Sequence, residues 1–279
     1  MILIADSGST KTSWCVADAG RAVQTVPTSG LNPYFQTEDD IRNRLIQELL
    51  PQLETDANDI RAIHFYGAGC AFEKVAVMQK AIETATKVPV IEVNSDLLGA
   101  ARALCGQQPG IACILGTGSN SCFYDGSQIA QNVSPLGFIL GDEGSGAALG
   151  KLLVGDLLKG MMPNELRDKF LTQYDLTPAQ IIDRVYRQPF PNRFLAGLSP
   201  FLAENISEPM IHALVLNSFK SFITRNVMKY DTQTRIIHFT GSIAYYYKDI
   251  LMEATAALGF STGKIVQSPL QGLVDFHAI

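Results

Sequence analysis

No run of basic residues, no long apolar span and no close pair of cysteines occurs in the 279 residues of this chain. Each absence removes a class of function. The formal net charge is −5, and a nucleic-acid surface needs clustered Lys and Arg to meet phosphates, so no nucleic-acid partner is expected. No stretch stays apolar for the roughly 20 residues a membrane crossing needs, so no membrane is expected either. Met1 to Ala5 reach Asp6 at once, without a positive leader, which points to a cytoplasmic protein. Cys15, Cys70, Cys105, Cys113 and Cys122 form no CxxC pair and read as buried thiols. The four histidines, His64, His212, His238 and His277, are too scattered for a zinc site.

What is present is a chain with 47% hydrophobic residues, enough to bury a substantial core. Short β-rich runs recur at Leu3–Ala5, Ser13–Ala17, Ala62–Tyr66, Val88–Val93, Ile111–Leu115, Cys122–Tyr124, Ile236–Phe239 and Lys264–Gln267, with helical periodicity between several of them. The class is therefore α/β. Thr37, followed by Glu38, Asp39 and Asp40, opens a helix expected to run to Leu50, and Thr177 opens another over Ala179–Tyr186. Asp125-Gly126 marks a tight turn.

An internal echo organises these runs. Leu3-Ile-Ala-Asp-Ser-Gly-Ser9 is shadowed 110 residues later by Cys113-Ile-Leu-Gly-Thr-Gly-Ser119. Each is a strand, a Gly/Ser/Thr turn and a further strand, and two such halves suggest related sheets around a nucleotide cleft. By elimination the boundary falls near Gly106–Gly110, giving domains 1–108 and 109–279 and leaving open a return of the last few residues to the first domain.

Three turns carry chemistry. Asp6-Ser-Gly-Ser-Thr-Lys-Thr12 suits phosphate: Gly8 admits close approach, Ser9, Thr10 and Thr12 offer hydroxyls, Lys11 adds charge, and Asp6 can hold a hydrated Mg²⁺. A plain hairpin turn would need neither the carboxylate nor the lysine. Gly116-Thr117-Gly118-Ser119-Asn120 repeats the design without the carboxylate, and Thr240-Gly241-Ser242 ends a strand and opens a helix expected over Ile243–Leu258.

With these motifs in this order, the chain resembles the BadF/BadG/BcrA/BcrD ATPase family of the actin-like, hexokinase and acetate-kinase superfamily, and within it the N-acetylglucosamine kinases. The resemblance rests on Asp6–Thr12, Gly116–Asn120, Gly137-Phe-Ile-Leu-Gly-Asp-Glu-Gly-Ser145, Thr240–Ser242 and Ser268-Pro-Leu-Gln-Gly272, and covers nearly the whole chain. It implies two ribonuclease-H-like (actin-like ATPase) domains with ATP between them, Mg²⁺ at Asp6, a sugar deeper in the cleft, and assembly as a homodimer. The implied activity is phosphorylation of an amino-sugar hydroxyl, N-acetylglucosamine to its 6-phosphate.

The resemblance also assigns roles. Asp96, after Asn94-Ser95, matches the family's general base; from the residues alone it reads equally as a helix N-cap. Asn32 matches a sugar-binding asparagine, or else is a loop residue before Pro33. Thr117, Gly137 and Asp142 match contacts to the sugar, while Glu143 and Ser145 could cap the following helix. The pattern departs at Leu136-Gly137-Phe138, where a Trp commonly precedes the glycine.

Other patterns fall short. Gly146-Ala-Ala-Leu-Gly-Lys151 has one residue too few for a P-loop and lacks its Ser/Thr, and neither Gly67-Ala-Gly69 nor Gly144-Ser-Gly146 completes a dinucleotide fingerprint. Tyr245–Tyr247 receives no function. Two rivals remain: an activator ATPase, which needs cysteines placed to share an iron–sulfur cluster, and a nucleotide or sugar sensor without turnover, which has no need of Asp96.

Overall fold

The structure, a computed structural model, describes residues 1–8, 10–56 and 59–278. It divides into two compact units. The first comprises Met1–Ala112, Tyr124–Ala130 and Ser268–Ile279, and the second Cys113–Phe123 and Gln131–Gln267.

The first sheet contains β1 (Ile2–Ser7), β2 (Lys11–Asp18), β3 (Arg21–Ser29), β4 (Ala62–Gly67) and β5 (Val90–Ser95), ordered β3-β2-β1-β4-β5. β1, β2 and β3 form an antiparallel meander; β4 and β5 run parallel to β1. Helices α1 (Glu38–Arg44), α2 (Lys74–Thr86) and α3 (Asp96–Cys105) lie along this half of the chain. The second sheet contains β6 (Gly110–Leu115), β7 (Ser119–Tyr124), β8 (Ile129–Gln131), β9 (Ile236–Thr240) and β10 (Ser261–Val266), ordered β10-β9-β6-β7-β8. Its helices are α4 (Gly137–Leu140), α5 (Gly146–Leu158), α6 (Asn164–Tyr174), α7 (Pro178–Tyr186), α8 (Pro191–Ala196), α9 (Ser199–Glu204), α10 (Pro209–Arg225), α11 (Ser242–Tyr246) and α12 (Lys248–Ala257), and the chain closes with α13 (Leu270–His277).

Read from its β8 end, the second sheet has the order β8-β7-β6-β9-β10, position for position that of the first. The sequence echo thus pairs β1 with β6 and β2 with β7, and the fold is the α/β, ribonuclease-H-like architecture expected. Pleat alternation sorts the first sheet's side chains onto two faces. Leu3, Ala5, Trp14, Val16 and Phe65 join Ile41, Leu45, Met78 and Ile82 in one core. Ile4, Cys15, Ala17 and Tyr66 face Ala103, Leu273 and Val274 in the other.

Several elements differ from expectation for identifiable reasons. β3 and β8 carry no apolar signal, because both are edge strands: β3 is mostly exposed and contains Pro27, tolerable only where a ladder N–H is not required. The helix from Thr37 keeps its capping box, with Thr37 Oγ1 accepting from Asp40 N and the Asp40 carboxylate accepting from Thr37 N, but gives way after Arg44 to a π turn over Leu45–Leu49 and a 3₁₀ turn containing Pro51. The expected Ile243–Leu258 helix breaks at Tyr247, whose buried hydroxyl donates to the Ser199 carbonyl. β5 runs to Ser95, further than the apolar run suggested, because Gly67 of β4 still pairs with it there.

α13 approaches α3 so closely that a Cβ on Gly272 would stand 2.4 Å from the Ala103 carbonyl oxygen. Backbone cannot yield as a side-chain tip does. Gly272→Val should therefore cost about 1–3 kcal/mol, read as a lowered urea midpoint at unchanged m-value; an unaltered midpoint would contradict this packing.

Candidate active site

In the first unit the site is built on the carboxyl ends of β1, β4 and β5. The register sets Asp6 beside Tyr66 and Ser7 beside Gly67, and Gly67 in turn beside Ser95, so these strand ends form one row. Asp6 is the last residue but one of β1, and Asp96 is the first residue of α3. Ser95 supplies the N-cap, its hydroxyl accepting from Leu98 N at 3.2 Å. Asp96 is therefore not the cap; its Oδ1 accepts from Leu97 N at 2.9 Å.

Burial pushes Asp6 up to about 7, helped by the negative charge of Asp96 and opposed by Lys11. Burial likewise pushes Asp96 up to about 6, opposed by the N–H groups of Leu97 and of Asp96 itself. Two desolvated carboxylates, one of them raised further by the other's charge, need a cation that the protein supplies only in part through Lys11. No group of three or more His, Cys, Asp or Glu able to hold a metal occurs among the described residues. A carboxylate pair is the donor set a mostly hydrated Mg²⁺ would take, with water and phosphate oxygens completing its shell.

Beyond Asp6 the hairpin turns through Gly8, whose N–H donates to the Lys11 carbonyl at 3.0 Å. Gly8, Thr10 and Lys11 are exposed; Ser9 lies outside the described residues. Thr12 is fully buried, bonded to Ser7 at 2.7 Å and donating to the Ser29 carbonyl at 3.2 Å, so its hydroxyl points into the protein. Asn32 is buried in the loop after β3. Its Oδ1 accepts from Tyr34 N at 2.9 Å and packs on Gly69, so its amide NH₂ is the part a ligand would meet.

In the second unit the turn Gly116–Gly118 is braced by the start of α5: Gly146 N donates to the Gly116 carbonyl at 2.8 Å and Ala147 N to the Thr117 carbonyl at 3.1 Å. Ser145, fully buried, caps α5 by accepting from Ala148 N at 3.1 Å. Its capping role is the alternative the sequence left open. Glu143 does not cap and instead pairs with Arg225 at 2.7 Å. Asp142 rests on Gly118, where an added Cβ would stand 3.0 Å from its Oδ2, and Ser119 N points to its Oδ1 at 3.4 Å. Burial raises the proton affinity of this carboxylate too. Leu136 (φ 62°) and Asp142 (φ 53°) are both left-handed; strain of this kind, on either side of Gly137, is characteristic of functional loops. Gly241 (φ 115°) has a built-in reason to be glycine, since a Cβ would fall 2.3 Å from the Leu115 carbonyl oxygen; the exposed Ser242 follows at the start of α11.

The structure thus gathers Asp6, Gly8, Thr10, Lys11, Asn32 and Asp96 in the first unit, and Gly116, Thr117, Gly118, Ser119, Gly137, Asp142, Gly241 and Ser242 in the second. Sequence reasoning missed Ser7, whose small hydroxyl within the first motif gave no separate signal. The P-loop-like run lies inside α5.

A family model, the BadF/BadG/BcrA/BcrD ATPase family, matches residues 5–155, from the end of β1 into α5. The chain belongs to that family. Among solved structures, a candidate N-acetylglucosamine kinase of Porphyromonas gingivalis is 51% identical, with a TM-score of 0.98 over 100% of this chain and 99% of that one. A second candidate N-acetylglucosamine kinase, from Chromobacterium violaceum, superposes with a TM-score of 0.72 at 18% identity, covering 99% of both chains. A ROK family glucokinase of Streptomyces griseus, in complex with glucose and AMPPNP, superposes at 0.59 with 16% identity, over 99% of this chain and 97% of that one. The last two likenesses bear on the fold alone, which family members of the actin-like ATPase architecture share. Comparison with curated proteins gives no match. No helix of the described residues is long and apolar enough to cross a membrane.

The raised carboxylates fix a stability profile. Between about pH 4 and 7 the folded chain keeps protons on Asp6 and Asp96 that unfolded carboxyls release, so folding weakens as pH rises through that window. Asp6→Asn should raise the unfolding temperature at pH 8 and flatten its dependence on pH between 4 and 7; a variant that tracks the parent curve would show that Asp6 is not held in this way.

Proposed function

We propose that this family member is an ATP-dependent sugar kinase that phosphorylates N-acetylglucosamine on its 6-hydroxyl. The observation that carries the reading is Asp96: a carboxylate at a strand end, released from capping duty by Ser95, with a proton affinity near 6. Such a group is ionised at neutral pH yet basic enough to accept a hydroxyl proton as that oxygen bonds to phosphorus. A sensor without turnover has no use for it. The 51% identity to the Porphyromonas gingivalis protein supports an amino sugar as acceptor.

Asp96 holds the acceptor hydroxyl and takes its proton, while the Asn32 amide fixes the sugar ring. Thr10 presents its backbone N–H and Lys11 its ammonium where negative charge grows on the phosphate oxygens, while the Gly8 N–H closes the hairpin on the Lys11 carbonyl. The Gly116–Ser119 turn is a second phosphate-facing nest, and Gly241-Ser242 bring backbone close to the adenosine. Asp142 and Thr117 contact sugar hydroxyls, with Gly137 leaving room beside them. Mg²⁺ with ATP supplies the cation that Asp6 needs and screens the phosphates from the two carboxylates.

ADP release from Mg·ATP should require a sugar, with N-acetylglucosamine ahead of glucosamine, glucose, N-acetylmannosamine and N-acetylmuramic acid. Hydrolysis indifferent to every sugar would move the reading to an activator ATPase. Asp96→Asn should lower turnover roughly a hundredfold or more, with sugar binding largely kept. Activity should also fall as pH drops through about 6, where Asp96 takes up its proton, and the variant should lose that acid limb. Unchanged turnover in the variant would remove Asp96 from the chemistry.

A further inference from the structure

Two hydroxyls lie where the first sheet's apolar face would otherwise continue. On β1 that face reads Leu3, Ala5, Ser7, and on the paired β2 it reads Val16, Trp14, Thr12. Ser7 and Thr12 sit opposite one another in the register and are both fully buried. A pair of small apolar residues would fill this space at no polar cost. Hydroxyls are there because the chain leaving β3 folds over this end of the sheet, bringing backbone groups that the strand ladder does not satisfy. Leu31 N donates to Ser7 Oγ at 3.2 Å and to Thr12 Oγ1 at 3.3 Å, and the two hydroxyls, 2.7 Å apart, share their two protons among one another, the Leu31 carbonyl 3.0 Å from Ser7 Oγ and the Ser29 carbonyl 3.2 Å from Thr12 Oγ1. The next residue is Asn32.

We propose that Ser7 and Thr12 are positioning residues: their hydroxyl pair pins the segment carrying Asn32 to the phosphate hairpin, so that the sugar-holding amide and the phosphate-facing N–H groups are set as one rigid piece. This rests on the kinase reading above, and it moves Thr12 from a nucleotide contact to a residue that acts through Asn32. Ser7 is tied to the chemistry from both sides, since it lies between Asp6 and Gly8. The loop is already stiffened beyond Asn32, where Asn32 N donates to Gln36 Oε1 at 2.7 Å. Between β3 and Asn32 the hydroxyl pair acts beside Gly30, whose N–H donates to the Thr10 carbonyl at 3.1 Å and whose carbonyl accepts from Gln36 Nε2 at 3.4 Å. Removing either hydroxyl leaves Leu31 N–H or a carbonyl short of a partner, and the segment must shift to reach water.

The test compares Ser7→Ala, Thr12→Val and Thr12→Ser in the full-length protein, each also in an Asn32→Ala background, with KM for N-acetylglucosamine, KM for Mg·ATP, kcat and unfolding temperature measured for all. Thr12→Val should raise the sugar KM about five- to a hundredfold, the range set by stranding one buried partner. The Mg·ATP KM should move less than about twofold, and Thr12→Ser should restore the sugar KM. In the Asn32→Ala background Thr12→Val should add nothing further, because the two act in series. A rise in the Mg·ATP KM alone would return Thr12 to the nucleotide. Additive effects with Asn32→Ala, or a lowered unfolding temperature with both KM values unchanged, would leave the pair a purely structural bond and overturn the proposal. Parent protein inert with every sugar would instead overturn the kinase reading, a result distinguishable because it appears before any variant is made.

Discussion

The structure of the first unit depends on holding two like charges where water cannot fully screen them. Asp6 and Asp96 are 90 residues apart in sequence, and each is pushed toward its neutral form by burial and, for Asp6, by the other's charge. Nothing local would keep such groups in place. The parallel pairing of β1 with β4 and β4 with β5 does, because ladder hydrogen bonds fix the strand ends relative to one another whatever the charges prefer. A cost in stability of this kind is typical of functional sites.

The second unit reaches a comparable arrangement by a different route. Its duplicated hairpin has Gly116 where the first has Asp6, so no carboxylate ends β6. A carboxylate arrives from elsewhere: the left-handed Asp142 folds back from the loop before α5 and rests on Gly118. Ser145 and the two carbonyls of the turn consume the first N–H groups of α5. The helix start therefore braces the turn and is not itself an open anion site. Duplication preserved strand order, while polar function was redistributed by loop conformation.

What could be read from the sequence follows this division. Glycine-rich turns were legible because glycine and hydroxyls in a row after an apolar strand have few other uses, and strands buried on a face were legible from their apolar runs. Strands β3 and β8 were not, since β3 is largely exposed and contains Pro27 and β8 is only three residues long. The Tyr247 break was hidden because it is decided by a contact to Ser199, 48 residues earlier. Asp96 was ambiguous between cap and base, and one hydrogen bond, from Leu98 N to Ser95 and not to Asp96, resolves its place in the helix.

Thr12 shows how neighbours in one polar run come to occupy different places. Within one hairpin, strand alternation sends Lys11 to solvent and Thr12 into the protein; the sequence displays both as part of one polar run. A hydroxyl in a phosphate motif can serve the ligand or the fold, and the two uses differ by a single step of the pleat. Register, more than residue type, therefore decides which members of such a motif meet the nucleotide. The buried members carry a different burden: they tie a loop more than 15 residues away to the turn, at Leu31, 19 residues from Thr12. On the kinase reading, specificity for the acceptor would in this way be written into residues that never touch it, because a ring held by Asn32 would be placed only as well as the backbone before Asn32 is held.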